Sequence, residues 1–206
     1  MSWPSAEEIV VFPEKPRGER FRGDSPNVAL IILRSKNQNV VCYQAGTEEK
    51  TMADKPKRAI EGYWMDVDPP YAAKARAAGQ DDDRDDLSML EHQFAYGFTC
   101  KAPEDATKLP ADLPRVSKTA LSVNFVAVAK REMELRWHVD NGLPVIVSLL
   151  KPTPEATAPV ACAVERVWVQ STEPTGFFSM PTVEYIDLIG YRLDDGAPVS
   201  ERVMNS

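Results

Sequence analysis

Hydrophobic and polar positions alternate with a period of two along most of the chain beyond residue 27. Such alternation is typical of β-strands that bury one face. Apolar runs at residues 28–33 and 40–43 flank a polar stretch and predict a β-hairpin. A third strand is predicted at residues 59–67. It ends before the Pro69-Pro70 pair, which cannot extend a ladder. Further strands are predicted over six segments: 121–129, 133–139, 144–150, 160–170, 183–193 and 198–204.

The spacing of these strands predicts the fold class. Asn-Gly at residues 141–142 and Asp-Gly at residues 195–196 are turn sequences that separate neighbouring strands. About nine short strands joined by such turns indicate a sandwich or a barrel. We therefore expect a mainly β, single-domain antiparallel β-sandwich or barrel over residues 27–206, with one or two short helices.

A Pro-, Ala- and Asp-rich stretch at residues 69–86 interrupts the strand pattern and is interpreted as an insertion. Its Ala-rich part, residues 71–78, is followed by Gly79 in the place of a helix C-cap and predicts a short helix. A second helix is predicted from about Asp85 to Ala95, because Leu87, Leu90 and Phe94 have helical spacing. The preceding aspartates would interact favourably with the N-terminal end of its dipole.

Residues 1–26 are predicted to form a Pro-rich N-terminal arm. Prolines and glycines recur in this segment, so no regular element can run far. The arm contains one apolar run, Ile9-Val10-Val11-Phe12. Each such side chain gains roughly 1.5–3 kcal/mol on full burial, so the run is expected to dock on its own domain or on a partner.

The charge balance narrows the classes of partner. The chain carries 31 acidic and 24 basic side chains, a net charge of -7, so it would repel nucleic acid on average. No apolar stretch approaches the roughly 20 residues that cross a bilayer. The N-terminus has no signal-peptide pattern, and three widely spaced cysteines do not predict a disulfide framework. We expect an intracellular, reducing compartment, cytoplasmic or mitochondrial, and not secretion.

Motifs for catalysis, metals and nucleotides are missing from the sequence. The chain has two histidines, and it contains no Gly-rich phosphate loop, no nucleophile elbow and no CxxC pair. The aspartates at 81, 83 and 85 resemble the first ligands of a calcium loop, but Asp86 stands where glycine is needed and His92 where glutamate is needed. Catalytic residues, a metal site and a cofactor are therefore not expected.

Four stretches resemble one family. They are ILRSKNQNVVCY, which ends at Tyr43, then GYWMDV at 62–67, LSMLEHQFAYGF at 87–98 and VEYIDLIGYRLDDGAPVSERV at 183–203. Their order is similar to that of an uncharacterised domain of unknown function found in bacteria and single-celled eukaryotes. The resemblance covers about residues 27–203. It implies a domain boundary and no reaction, ligand or catalytic residue.

These observations favour a non-catalytic interaction or accessory subunit of a larger assembly, with other protein subunits as its partners. Two alternatives remain open: a β-barrel that binds a small apolar ligand, and an enzyme that uses carboxylates such as Glu61, Asp66 or Glu91. The candidate partner-binding residues fall in the arm, the first hairpin turn and the acidic insertion. They are Ile9, Val10, Val11, Phe12, Arg34, Lys36, Asp81, Asp82 and Asp83.

Overall fold

The fold is mainly β, as the alternating pattern predicts. A computed structural model describes residues 27–35, 37–65, 84–86, 96–102, 109–128, 131–151, 158–172 and 182–204. Within these ranges the chain forms eleven strands, one α-helix (α1, Glu49–Asp54) and two 3-10 helices (Pro56–Arg58 and Val126–Val128). The strands are β1 Val28–Arg34, β2 Asn37–Ala45, β3 Ile60–Met65, β4 Arg84–Asp86, β5 Phe98–Lys101, β6 Leu121–Phe125, β7 Met133–Trp137, β8 Pro144–Leu150, β9 Val160–Ser171, β10 Val183–Arg192 and β11 Pro198–Met204.

The sheet branches at the long strand β9. The first half of β9 pairs antiparallel with β8, and its second half, from Arg166 to Val169, pairs parallel with β1. One branch continues from β1 through β2 and β3 to β4, and the other continues from β8 through β7 and β6 to β5. The opposite edge of β9 pairs with β10, which pairs with β11. The result is one nearly closed, barrel-like sheet in which the two branches face each other.

The main core lies between the two branches. Tyr43 of β2 sits at its centre, with ring centroids 5.5 Å from Phe98 and 4.8 Å from Phe125, both on the facing branch. Edge-on contacts of this kind add to the stabilisation from burial alone. Trp137 of β7 crosses the same space, and its Nε1 donates to the carbonyl of Gly46 at 2.8 Å. Buried side chains from both branches line this interior.

Two further apolar clusters lie on the outer faces of the sheet. One covers β1, β2, β3, β9 and β10 and includes Cys42 and Trp168, both buried. The other lies on β8 and β9, where Leu109 and Val116 of the segment before β6 pack against Val147. This segment, residues 109–117, is called the cover loop below. Because it encloses the outer face of the β7–β8 branch, polar residues on that face are buried as well.

Gly190 accommodates an irregularity where β9 and β10 pair. The register shifts between Ile189 and Gly190 on β10, opposite Arg166 and Val164. A Cβ on Gly190 would lie 1.7 Å from the carbonyl oxygen of Ala163, far inside van der Waals contact. Only glycine can occupy this position without moving the backbone of β9, the strand on which both branches depend.

Most predicted strands are confirmed. The first hairpin, the strand before Pro69 and the six later strands match β1, β2, β3 and β6 to β11 within a few residues. The sheet was predicted to be antiparallel, but it is mixed, because β1 pairs parallel with β9. The strands β4 and β5 were not predicted. The helix α1 falls in a segment for which no element was predicted.

The predicted helix starting at Asp85 is wrong at its first residues. Arg84–Asp86 forms strand β4, which pairs antiparallel with β3. Backbone pairing with a sheet edge outweighs the dipole argument that favoured a helix start here. The rest of that helix and the predicted helix at residues 71–78 lie outside the described residues, as does the N-terminal arm.

Candidate functional site

Most of the predicted partner-binding residues lie outside the part of the chain that the structure describes. This holds for Ile9–Phe12, for Lys36 and for Asp81–Asp83. Arg34 is described, and the acidic run ends one residue before the described strand β4. Of the candidate residues, the structure describes Arg34 alone, together with strand β4, which follows the acidic run.

Arg34 turns toward the end of the core and does not extend from the hairpin tip. Its guanidinium carbon lies 4.4 Å from the centroid of the Tyr96 ring, a cation–π contact. The Tyr43 hydroxyl donates to the backbone carbonyl of the same Tyr96 at 2.8 Å. Burial raises the pKa of Tyr43, and the nearby charges of Tyr96 and Arg34 have smaller and opposing effects. Arg34 thus covers one end of the core while remaining half-buried at its rim.

The acidic insertion returns to the sheet at an edge. In β4, Asp86 pairs with Tyr63, Asp85 with Trp64 and Arg84 with Met65, all on β3. Among the described strands, β4 has no second neighbour, so it is the terminal strand of its branch. Asp81–Asp83 immediately precede this terminal strand. The described part of the insertion thus ends in an edge strand of the sheet.

A buried ion pair lies under the cover loop on the outer face of β7. Glu134 and Arg136 are each 2% exposed, and Arg136 Nε donates to Glu134 Oε2 at 2.7 Å. Arg136 also donates to three carbonyls of the cover loop: Pro110 at 3.0 Å, and Ala111 and Ser117 at 3.3 Å. Desolvation raises the pKa of Glu134, and the bond from Arg136 opposes this rise. The pair fastens the loop to the sheet.

This pair was not predicted from the sequence. The stretch Met133-Glu134-Leu135-Arg136-Trp137 has the alternation of a strand with one solvated face. The signal that could have indicated burial is the Pro- and Leu-containing segment at 109–116, which is apolar enough to cover a sheet face. Its place on β7 depends on long-range packing that a local pattern does not contain.

The histidine and cysteine side chains of the described region are buried. His138 follows β7, and burial lowers its pKa, with smaller contributions from Arg115 and Asp140. Burial raises the pKa of Cys100 and of Cys162 to about 12, so both are neutral thiols at physiological pH. Within the described residues, no cluster of three or more His, Cys, Asp or Glu side chains could hold a metal ion.

The β10–β11 hairpin presents a second cluster of polar and aromatic groups. Arg202 donates through Nε and Nη2 to the two carboxylate oxygens of Asp187, both at 2.8 Å, and stacks 3.8 Å from the centroid of the Tyr185 ring. On the other face of β11, Glu201 accepts from Arg131 and from the backbone N–H of Lys151, the latter at 2.9 Å. Both charges on β11 are therefore held by partners within the fold.

Comparison with known proteins identifies the chain at family level. No curated protein and no solved structure gives a significant match. In the described regions, no helix has the length and apolar character needed to cross a membrane. A family profile described as "Domain of unknown function (DUF4833)" matches residues 30–202, which include every described strand except the beginning of β1 and the end of β11. The chain belongs to this family of domains of unknown function.

Proposed function

We propose that this protein is a non-catalytic interaction or accessory subunit of a larger assembly. It docks through the N-terminal arm, with the apolar run Ile9–Phe12, and through the acidic insertion, with Asp81–Asp83. Lys36 at the first hairpin contributes a basic group to the same recognition, and Arg34, half-buried against Tyr96, contributes the part of its guanidinium that stays exposed. The compartment of this assembly is cytoplasmic or mitochondrial.

The observation that carries the proposal is the return of the insertion to a sheet edge as β4. A charged segment tethered to a rigid sheet is held near one position, which lowers the entropic cost of binding. The run Asp81–Asp83 directly precedes β4 in the sequence, and β4 pairs with β3. A basic surface on a partner would be attracted to this edge at moderate salt.

The chemistry of the described core is consistent with a structural role for its titratable groups. Glu134 is bonded to Arg136, and Arg136 holds the cover loop through three carbonyls. Cys100 and Cys162, with pKa values of about 12, would be poor nucleophiles. These groups contribute to folding. We therefore assign partner binding to the arm and the acidic insertion.

The test is recovery of the tagged full chain from native extracts of its source organism, followed by size-exclusion chromatography and identification of stoichiometric partners. Two variants remove the proposed contacts: Ile9→Asp/Val11→Asp in the arm, and Asp81→Asn/Asp83→Asn in the insertion. We expect each to reduce recovery of the same partners at least tenfold. Circular dichroism and thermal unfolding should show that both variants stay folded.

The matched control is Asp54→Asn/Asp112→Asn, which removes two exposed aspartates elsewhere on the surface. It changes the net charge by the same amount as the insertion variant. Partner recovery should be unchanged. A full chain that elutes from the extract as a free monomer, or variants that retain every partner, would show that the protein is not such a subunit.

A further inference from the structure

Among the described strands, β11 is an edge strand that pairs only with β10. At the turn, the N–H of Arg192 donates to the carbonyl of Ala197 at 2.9 Å, and the carbonyl of Arg192 accepts from the N–H of Gly196 at 3.0 Å. Arg192 therefore occupies a hydrogen-bonded position opposite Gly196 and Ala197, next to the non-bonded pair of Tyr191 and Pro198. Bonded and non-bonded pairs alternate along an antiparallel ladder. The main-chain groups of Ser200, Arg202 and Met204 therefore point away from β10. Among the described strands, none pairs with this side of β11.

The charges that usually protect an edge strand are compensated here. Natural edges are blocked by exposed lysines, inward-pointing charges or prolines. Arg202 is bonded to Asp187, and Glu201 is bonded to Arg131. Only Pro198, at the beginning of β11, lacks a backbone donor. A short apolar strand could therefore pair with the rest of the edge without facing an unpaired charge.

A second copy of β11 fits this edge poorly. In antiparallel self-pairing, the register that centres on position 201 places the two Glu201 side chains opposite each other, and the register that centres on 202 does the same for Arg202. The register that centres on Ser200 places Pro198, without an N–H, opposite Arg202. Each of these registers has a like-charge contact or loses a hydrogen bond. The register that centres on Val203 avoids both defects but pairs only residues 202–204 of the strand, which favours a different strand as the occupant.

We propose that Ile9–Phe12 of the same chain adds to β11 as its outer strand. Three of these four residues are β-branched and the fourth is aromatic, the types that favour strands, and Pro13 ends the run. The added strand would cover Met204, which is 62% exposed. The inference does not depend on the proposed function, because it concerns the arm in the absence of a partner.

The arm is long enough to reach this edge. From β1 the sheet passes through β9 and β10 to β11, three strand spacings or about 14 Å. Residues 13–26 join the run to Asn27 at the start of the described domain and can span up to about 45 Å. A tether of this length gives an effective concentration on the order of millimolar, which favours pairing within one molecule.

The test is residue-resolved amide hydrogen exchange, measured by NMR on the full chain. We expect the amides of Ser200, Arg202 and Met204 to be protected in the unmodified protein. Val10→Pro/Val11→Pro removes two consecutive donors, one of which must face β11, and should accelerate exchange of these amides at least tenfold. The amides of Glu201 and Val203, which face β10, serve as an internal control and should change less than twofold.

Gly18→Pro/Glu19→Pro is the matched control, because it adds two prolines to the arm outside the apolar run. It should leave all five amides unchanged. The pairing would be refuted if the amides of Ser200, Arg202 and Met204 exchanged at unprotected rates in the unmodified chain. It would also be refuted if their exchange rates did not change in Val10→Pro/Val11→Pro. Protection that falls on tenfold dilution would instead assign the strand to a second copy and overturn pairing within one chain. If the extract experiment recovered no partners, the hydrogen-exchange evidence for the arm on β11 would not be affected.

Discussion

Replacing Arg136 should show how much of the free energy of unfolding depends on the buried Glu134–Arg136 pair under the cover loop. Both members of the pair are 2% exposed, and the Nε of Arg136 lies 2.7 Å from Glu134 Oε2. Arg136→Met keeps a long apolar side chain in place of the guanidinium. It leaves the Glu134 carboxylate buried without its partner and leaves three cover-loop carbonyls without their donor.

The expected cost follows from this geometry. Breaking a buried ion pair by removing one partner typically costs about 3–5 kcal/mol, because the remaining charge stays desolvated. A domain of this size has a free energy of unfolding of about 5–15 kcal/mol, so the variant should be close to the limit of folding. The double variant Glu134→Leu/Arg136→Met no longer buries a charge. It should recover at least half of the loss, with about 1–2 kcal/mol remaining for the unpaired carbonyls.

The measurement is equilibrium unfolding in urea at pH 7 for the unmodified chain, Arg136→Met, Glu134→Leu and the double variant. Hydrogen exchange over residues 109–117 should rise in both variants that lack Arg136, because the cover loop loses its attachment. A loss below 1 kcal/mol in Arg136→Met, or a double variant no more stable than that single variant, would refute the assignment of a tightly coupled buried pair.

Three further predictions concern single residues. Gly190→Ala would bring a Cβ to 1.7 Å from the Ala163 carbonyl oxygen and should lower the free energy of unfolding by about 3 kcal/mol or more. The control Gly142→Ala, at φ +70° in open space, should lower it by about 1–2 kcal/mol. Equal losses in urea unfolding would contradict the close approach at Gly190. Burial lowers the pKa of His138 below its ordinary value of 6.5. The unfolded chain therefore binds a proton at a higher pH than the folded chain does. The stability present above pH 6.5 should fall as the pH drops from 6.5 through the lowered pKa of the folded state. His138→Gln should flatten that slope, and an unchanged slope would argue against burial of the imidazole. The thiol of Cys100, with a pKa of about 12, should react with an aromatic disulfide reagent at pH 8 only after unfolding, and fast reaction of the native protein would contradict its burial.

The β-strands could be predicted because their residues alternate locally. In β8 the positions of Ile146 and Leu150 face the main core, and Val145 and Val147 face the cover loop. Turn residues are equally local: Gly142 and Gly196 both adopt positive φ, as the Asn-Gly and Asp-Gly sequences indicate. Period and turn chemistry are short-range properties, so they can be read from one sequence.

Pairings over long distances could not be predicted in this way. Nothing near Val28–Arg34 indicates that β1 pairs parallel with Arg166–Val169 far along the chain. The same limit applies to Arg34, which was expected at a polar hairpin tip but stacks on Tyr96. It applies to Asp85 and Asp86, where an edge pairing with β3 replaces the predicted helix start. In each case the deciding contact is made by a distant segment.

If the arm pairs with β11 as proposed, the two docking elements are attached at opposite ends of one continuous path of strands. This path runs from β4 through β3, β2, β1, β9 and β10 to β11. Six strand spacings separate its ends, which is at most about 29 Å along the sheet. A single compact partner that contacts both the acidic run beside β4 and an arm on β11 must span this width. If no single partner contacts both edges, the arm and insertion variants should weaken binding independently. Their effects on the binding free energy should then add within about 0.5 kcal/mol. Strong coupling between them would instead mean that one partner surface bridges both edges, or that the arm leaves β11 to meet the insertion when a partner binds.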